Sequence, residues 1–156
     1  MRVYIDSSVF GGYYDKEFAE PTRDFFQAWM LGKILGVLSG TLVRELEDAP
    51  ERVRDLLRRA LEREHEALEV TAEATRLSEA YLRAAVLTEK YADDALHVAL
   101  ATVARVDALV SWNFRHLVNP LRVRAFNGVN IASGYGVVTI MTPAEIVKIL
   151  ETQDED

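Results

Sequence analysis

Apolar residues along the chain follow two rhythms. Short apolar runs bounded by glycine or polar residues read as strands: Val3 to Ile5, Leu35 to Leu38 with Gly36 and Gly40, Ala108 to Trp112, and Val137 to Met141. Longer stretches repeat near 3.6, the helical period. Pro21 opens one that carries Phe25, Phe26, Trp29 and Met30 on roughly one side, and a loop with Gly11 and Gly12 joins it to the first strand. Thr41 caps a helix that runs through Glu47 and is stopped by Pro50. Glu51 to about Glu66 predicts a strongly charged helix, and Ala72 to about Leu87 a second long one. Ala92 to Val106 differs: Ala95, Leu96, Val98, Ala99, Leu100, Ala101 and Val103 make it apolar nearly all round, so it belongs in the interior. Phe114 to Gly136 is expected to be partly helical. Thr142-Pro143-Ala144-Glu145 starts a last helix, with an N-cap, a proline at the first position and a capping-box acid.

Apolar strands interleaved with helices predict an α/β fold, a mostly parallel sheet covered by helices on both faces. The 156 residues fit one domain, spanning 1–151, with Thr152 to Asp156 as a frayed acidic tail. In such sheets ligands bind beyond the carboxyl ends of the strands, which narrows the search for chemistry to a few positions.

Composition limits that chemistry. There is no cysteine, so thiolate zinc and iron–sulfur sites are excluded and a metal must be held by oxygen or histidine. The formal net charge of −7 argues against a broad basic face for nucleic acid, unless bound cations reverse the sign locally. The opening Met1 to Asp6 is too short an apolar run for a signal peptide, and no stretch reaches the ~20 apolar residues of a membrane span. A soluble cytoplasmic protein with no membrane contact is expected.

Asp6 follows the first strand directly, and Asn113 holds the same kind of position after Leu109 to Trp112. Asp94 opens the buried helix, where Asp93 can serve as the cap and free Asp94 for another role. Glu45 lies beside the inward stripe of Leu42 and Leu46, whereas Glu47 is further round and solvated. Taken singly, Asp6 and Asp94 are caps or turn residues and Glu45 a surface acid. Together they bring three carboxylates and an amide to one end of one sheet, where like charges must either take up protons or share a cation. Hard oxygen donors without cysteine suit Mg2+ or Mn2+.

Ile5-Asp6-Ser7-Ser8-Val9-Phe10, the acid in Leu42-Val43-Arg44-Glu45-Leu46, then Asp93-Asp94-Ala95-Leu96-His97-Val98-Ala99-Leu100-Ala101 and Ser111-Trp112-Asn113-Phe114 together resemble the PIN domain, over nearly the whole chain and in order. The resemblance implies a three-layer α/β/α fold and a metal-dependent ribonuclease, often the VapC-type toxin of a toxin–antitoxin pair. It implies that Asp6, Glu45 and Asp94 bind the metal and serve catalysis. It places Asn113 where many members carry a further acid, and Ser8 where a small polar residue lies near the metal and substrate. It also implies a homodimer and a small antitoxin partner. Lys90 and Arg115 flank these segments and are the candidate RNA contacts, with Arg122 and Arg124 beside them. The arginines from Arg52 to Arg63 alternate with acids, and Asp55–Arg59 and Arg58–Glu62 have helical pair spacing, so a salt-bridged solvated face is expected there. His97 shares the Asp94 face as a packed, hydrogen-bonded side chain, and His65 and His116 show no ligand spacing.

The alternative function is a catalytically weak PIN-like module that binds RNA or protein, because Asn113 brings no charge. A haloacid-dehalogenase-type phosphotransferase would need an acid where Ser8 stands, and a response-regulator receiver a second acid beside the first strand. A dinucleotide fold would need a glycine fingerprint that Gly11-Gly12 lacks.

Overall fold

The computed structural model describes residues 1–155. Its five strands are β1 (Arg2–Ile5), β2 (Leu35–Ser39), β3 (His65–Leu68), β4 (Ala108–Val110) and β5 (Ile140–Met141). They form a wholly parallel sheet in the order β3-β2-β1-β4-β5, in which Tyr4 faces Val37 on one side and Leu109 on the other. The helices are α1 (Ser7–Gly12), α2 (Ala19–Met30), α3 (Gly40–Glu45), α4 (Glu51–Glu62), α5 (Ala72–Arg83), α6 (Ala92–Val103), α7 (Pro120–Ala132) and α8 (Pro143–Glu155), with one 3-10 turn at Glu89–Tyr91.

Strand side chains alternate between faces, so each strand feeds two cores. Val3, Ile5, Leu38, Ala108 and Val110 pack against Phe10, Phe25, Trp29, Leu57 and Ile146. Tyr4, Val37 and Leu109 pack on the opposite face against Leu77, Tyr81, Val98 and Phe126. Helices therefore cover both faces of the sheet, as expected, with β1 at its centre. No described helix is long and apolar enough to cross a membrane.

Several elements differ from the sequence reading. The charged helix stops at Glu62 rather than about Glu66, and His65–Leu68 becomes the edge strand β3. Nothing in His-Glu-Ala-Leu favours a strand locally. Pairing from His65 opposite Gly36 to Leu68 opposite Ser39 imposes it, and Arg2 clamps Glu66 through two bonds of 2.7 Å. The segment with Gly11 and Gly12 is helix α1 rather than a loop. A Cβ on Gly12 would lie 2.7 Å from the Trp112 ring, so glycine is there for close approach. The Trp29 indole packs on β2 in the same way, in the space that a Gly36 Cβ would occupy. Met30 is 67% exposed and leaves the apolar side assigned to it. Ser39, not Thr41, caps α3, accepting from Leu42 N–H at 3.2 Å. The last strand shrinks to Ile140–Met141, because Asn127 takes the backbone N–H and C=O of Val138 at 2.8 and 3.1 Å.

Thr142 caps the last helix as anticipated, its hydroxyl accepting Glu145 N–H at 3.1 Å, while the Glu145 carboxylate accepts from that hydroxyl at 3.2 Å and not from the Thr142 backbone N–H. Helix α8 continues through Glu155, so Thr152 to Glu155 are helical, and Asp156 lies outside the described residues. On α4, Arg58 pairs with Asp55 in place of the two pairings expected from spacing.

Candidate active site

The chain leaves β1 towards β2 and later returns on the other side of β1 as β4, so a crevice opens beyond the carboxyl ends of β1 and β4. Asp6 stands in it. Its N–H bonds Val110 C=O at 3.1 Å, which fixes the residue to β4, and its side chain is buried, with Asp6 3% exposed. Its Oδ2 accepts from the hydroxyls of Ser8 at 2.8 Å and Ser111 at 2.7 Å. Those hydroxyls in turn accept the backbone N–H groups of Trp112 and Asn113, each at 2.9 Å. The turn after β1 and the end of β4 are thus one hydrogen-bonded unit centred on the Asp6 carboxylate.

Glu45 reaches this unit from the last residue of α3 and is half-buried. Ser7 donates to its Oε2 at 3.0 Å, and Nε2 of His97 meets its Oε1. His97 is fully buried on α6, and the same Nε2 lies 3.7 Å from Asp6 Oδ1. Carboxylates only accept, so Nε2 carries a proton. The other ring nitrogen, Nδ1, shares a hydrogen bond of 2.6 Å with the Tyr4 hydroxyl, which meets Ser39 Oγ at 2.8 Å. A buried chain therefore runs from the cap of α3 through Tyr4 and His97 to Glu45.

Asp94, in the first turn of α6, is half-buried. Its Oδ2 accepts from Nδ2 of Asn113 at 3.4 Å and faces Nδ1 of His116 at 3.1 Å. Asn113 is oriented by its Oδ1, which accepts His116 N–H at 3.0 Å, and Tyr91 packs on the His116 ring at 3.8 Å.

Burial and charge act together on these groups. Burial, and after it the charge of Asp6, raise the Asp94 carboxyl above its usual range, and His116 only partly opposes them. For His97, burial favours the neutral ring, but the Glu45 hydrogen bond and the charges of Asp6, Glu45 and Asp94 outweigh it and hold the proton on. Burial likewise raises Glu45, and the His97 contact and Ser7 overcome it, leaving the carboxyl below its usual range. Burial drives the Tyr4 phenol well up.

The structure thus brings Asp6, Ser8, Glu45, Asp94 and Asn113 to one crevice. Lys90 and Arg115 stand exposed on neighbouring segments, with Lys90 Nζ 5.6 Å from the Tyr91 ring centroid, and neither forms an ion pair among the described residues. Asp93 does not cap α6; it faces Arg44 at 3.9 Å in solvent. Among the described residues no three His, Asp or Glu side chains stand together as a metal cluster. Each acid is turned instead to a local hydroxyl, amide or imidazole.

Sequence reasoning missed Ser7, Ser111, Tyr4 and the contact of His116 with Asp94. Ser111 had a signal, since it closes β4 as Asp6 closes β1. His116 and Tyr4 had none, because their partners lie 22 and 93 residues away.

Residues 2–115 match the family model described as PIN domain. The chain belongs to the PIN-domain family. Solved structures of the same fold include VapBC2 from Rickettsia felis bound to a DNA fragment from their promoter, at 16% identity and a TM-score of 0.52, covering 74% of this chain and 90% of that one. VapC20 from Mycobacterium tuberculosis, a toxin that cleaves the sarcin–ricin loop, is 13% identical with a TM-score of 0.57, covering 85% and 95%. FitAcB from Neisseria gonorrhoeae is 14% identical with a TM-score of 0.55, covering 90% and 97%. No curated protein matches at a significant level. As a family PIN domains are nucleases, and the acids of this PIN domain line its switch-point crevice.

Proposed function

We propose that this PIN domain is an endoribonuclease dependent on Mg2+ or Mn2+, acting in the cytoplasm as the toxin of a toxin–antitoxin pair. The observation that carries this reading is the convergence of Asp6, Glu45 and Asp94 at the carboxyl end of the sheet, joined through Ser111, Asn113 and His97. The Asp94 carboxyl, raised first by burial and then by the charge of Asp6, is an acid whose charged form a hard divalent cation would favour. Asp6 and Asp94 are the principal ligands in this reading, with Glu45 the third acid. A divalent ion held there supplies a lowered pKa for water and neutralises charge developing on the attacked phosphate.

The chain's own groups do the remainder. Ser8 and Ser111 fix Oδ2 of Asp6 and leave Oδ1 without a direct hydrogen bond, 3.7 Å from Nε2 of His97. His97 and Ser7 hold Glu45 where it can orient a water molecule. Lys90 and Arg115 supply positive charge for the RNA backbone in a chain whose formal charge is −7. VapC20, of the same fold, is a toxin that cleaves the sarcin–ricin loop, which supports RNA as the substrate class here. The likeness to VapBC2 supports a small antitoxin as partner, and a homodimer is part of the same proposal.

Single-stranded RNA should be cut in a reaction that needs Mg2+ or Mn2+ and stops in EDTA. Asp6→Asn or Asp94→Asn should lower the rate about 100-fold or more, whereas Glu47→Gln, at an exposed position, should stay within about twofold. Cleavage that survives EDTA, or a 2′,3′-cyclic phosphate product, would overturn the mechanism.

A second reading is a PIN module that binds RNA or protein and cuts poorly. It is favoured by Asn113, which offers an amide to Asp94, and by the pairing of Glu45 with His97. RNA retained on the protein but left intact under Mn2+ would select it.

A further inference from the structure

Beside the acids lies a group of aromatic rings that the cleavage reading leaves unused. Trp112 and Phe114 flank Asn113 in sequence, and Phe18 comes from the segment just before α2. Phe18 stacks on Trp112 with ring centroids 4.3 Å apart and planes within 20°. Phe114 leans over both, at 6.1 Å from Phe18 and 6.2 Å from Trp112. The Trp112 indole is tied in place: its Nε1 donates to Thr22 Oγ1 at 2.9 Å, its backbone N–H donates to Ser8 Oγ, and its ring edge packs so closely on Gly12 that a Cβ there would collide with it.

Phe114 itself is 48% exposed, and it is the one aromatic side chain so exposed among the described residues. Burying it under Phe18 would have been the hydrophobic default. Its chain neighbours are the amide Asn113, which touches Asp94, and the unpaired cation Arg115. A single exposed ring between an amide and a cation is a poor seat for an apolar helix, which needs a continuous apolar stripe. It suits a flat, partly polar ring whose own chain carries a negative charge close by.

We propose that Phe114, backed by Phe18 and Trp112, is the stacking platform for one unpaired nucleobase of the RNA strand, next to the phosphate that Asp6 and Asp94 address. This rests on the ribonuclease reading of the crevice. Base–aromatic stacking contributes about 1–3 kcal/mol per base. That is about a 5- to 150-fold effect on affinity at tenfold per ~1.4 kcal/mol. The platform selects single-stranded RNA over duplex, because a paired base has no free face to offer.

The test uses the full chain and a short single-stranded RNA, with a matched set in which one base at a time is removed. KM and kcat are measured for cleavage, and binding is read separately from tryptophan emission, in which buried Trp29 is a constant background and Trp112 responds to a base on the platform. One abasic position should raise KM about 5- to 150-fold with little change in kcat and should abolish the emission change. Phe114→Ala should do the same with intact RNA, the two losses should not multiply, and Phe114→Trp should restore tight binding. If Phe114→Ala leaves KM and the emission response unchanged while RNA is still cut, the platform is overturned and the nuclease stands. If RNA quenches emission through Phe114 but is never cut, the nuclease reading falls and the platform stands. Emission that answers to an aromatic peptide and not to RNA assigns the platform to a protein partner and overturns the proposal. No cleavage and no response removes both.

Discussion

His97 has no contact with water, so its imidazole must find its partners inside the protein. Glu45 on Nε2 and Tyr4 on Nδ1 provide them, and the surrounding carboxylates hold its pKa above the ordinary value near 6.5 against the pull of burial. A raised folded-state pKa means that the folded chain binds this proton more tightly than the unfolded chain does. The resulting stability is full below about pH 6.5 and fades as pH rises through the folded value. Glu45 is lowered from 4.5, so its contribution is full above about pH 4.5 and fades as pH falls through its folded value. Metal-free protein should therefore melt lower at pH 9 than at pH 6, and His97→Gln should flatten that slope; a slope unaltered by the substitution sinks the assignment. Asn113 makes a different case. Its Nδ2 points at Asp94 because its Oδ1 is occupied by His116 N–H. Asn113→Asp sets two acceptors against each other, so metal-free melting should fall while the Mn2+-dependent cleavage rate rises. A fall in both would show that the site depends on the amide itself.

Helix ends carry a second kind of strain. Four helices finish on the paired bonds of a Schellman motif, which needs a residue with positive φ. Helices α2 and α7 place Gly32 and Gly134 there, at φ 76° and 88°. Helices α5 and α6 place Ala85 and Arg105 there, at φ 58° and 55°. A Cβ in that region is unfavourable, so Ala85→Gly should stabilise the protein by about 0.5–1 kcal/mol, and Gly32→Ala should destabilise it by a similar amount. Chemical denaturation measures both, and a loss of stability in Ala85→Gly would count against the strain. The same contrast explains what the sequence could disclose. Helices α2, α6 and α8 carry their own signals, in periodic aromatics, an all-round apolar run and a capping box, and each was legible. Strand β3 has no signal of its own, since its conformation comes from pairing with β2 and from the Arg2 clamp on Glu66. Helix α1 hid behind two glycines that the Trp112 ring, 100 residues later in the chain, requires to be small at Gly12. Asp6 and Asp94 were legible because they sit at element boundaries. Ser111, Tyr4 and His116 acquire their roles only when β4 docks beside β1 and α6 covers the sheet.

At the scale of the whole molecule, a chain of formal charge −7 has gathered three of its acids, Asp6, Glu45 and Asp94, about one end of its sheet. That arrangement is unfavourable for the metal-free fold and favourable for one that has taken up a cation. A ligand bound only by the folded state adds RT ln(1 + [L]/Kd), about 2.7 kcal/mol at a hundredfold excess over Kd. For a domain of this length that corresponds to a rise in Tm of about 5–11 °C. Mn2+ should produce such a rise in the natural sequence and in Glu47→Gln, and potassium at matched ionic strength should not. Asp94→Asn separates the two meanings of this residue. If Asp94 is a metal ligand strained by Asp6, the substitution leaves the metal-free Tm unchanged or higher and removes most of the Mn2+ shift. If Asp94 serves only to hold Asn113 and His116, the metal-free Tm drops and the Mn2+ shift persists. Two melting curves for each protein, with EDTA and with Mn2+, decide between these signs independently of any cleavage assay.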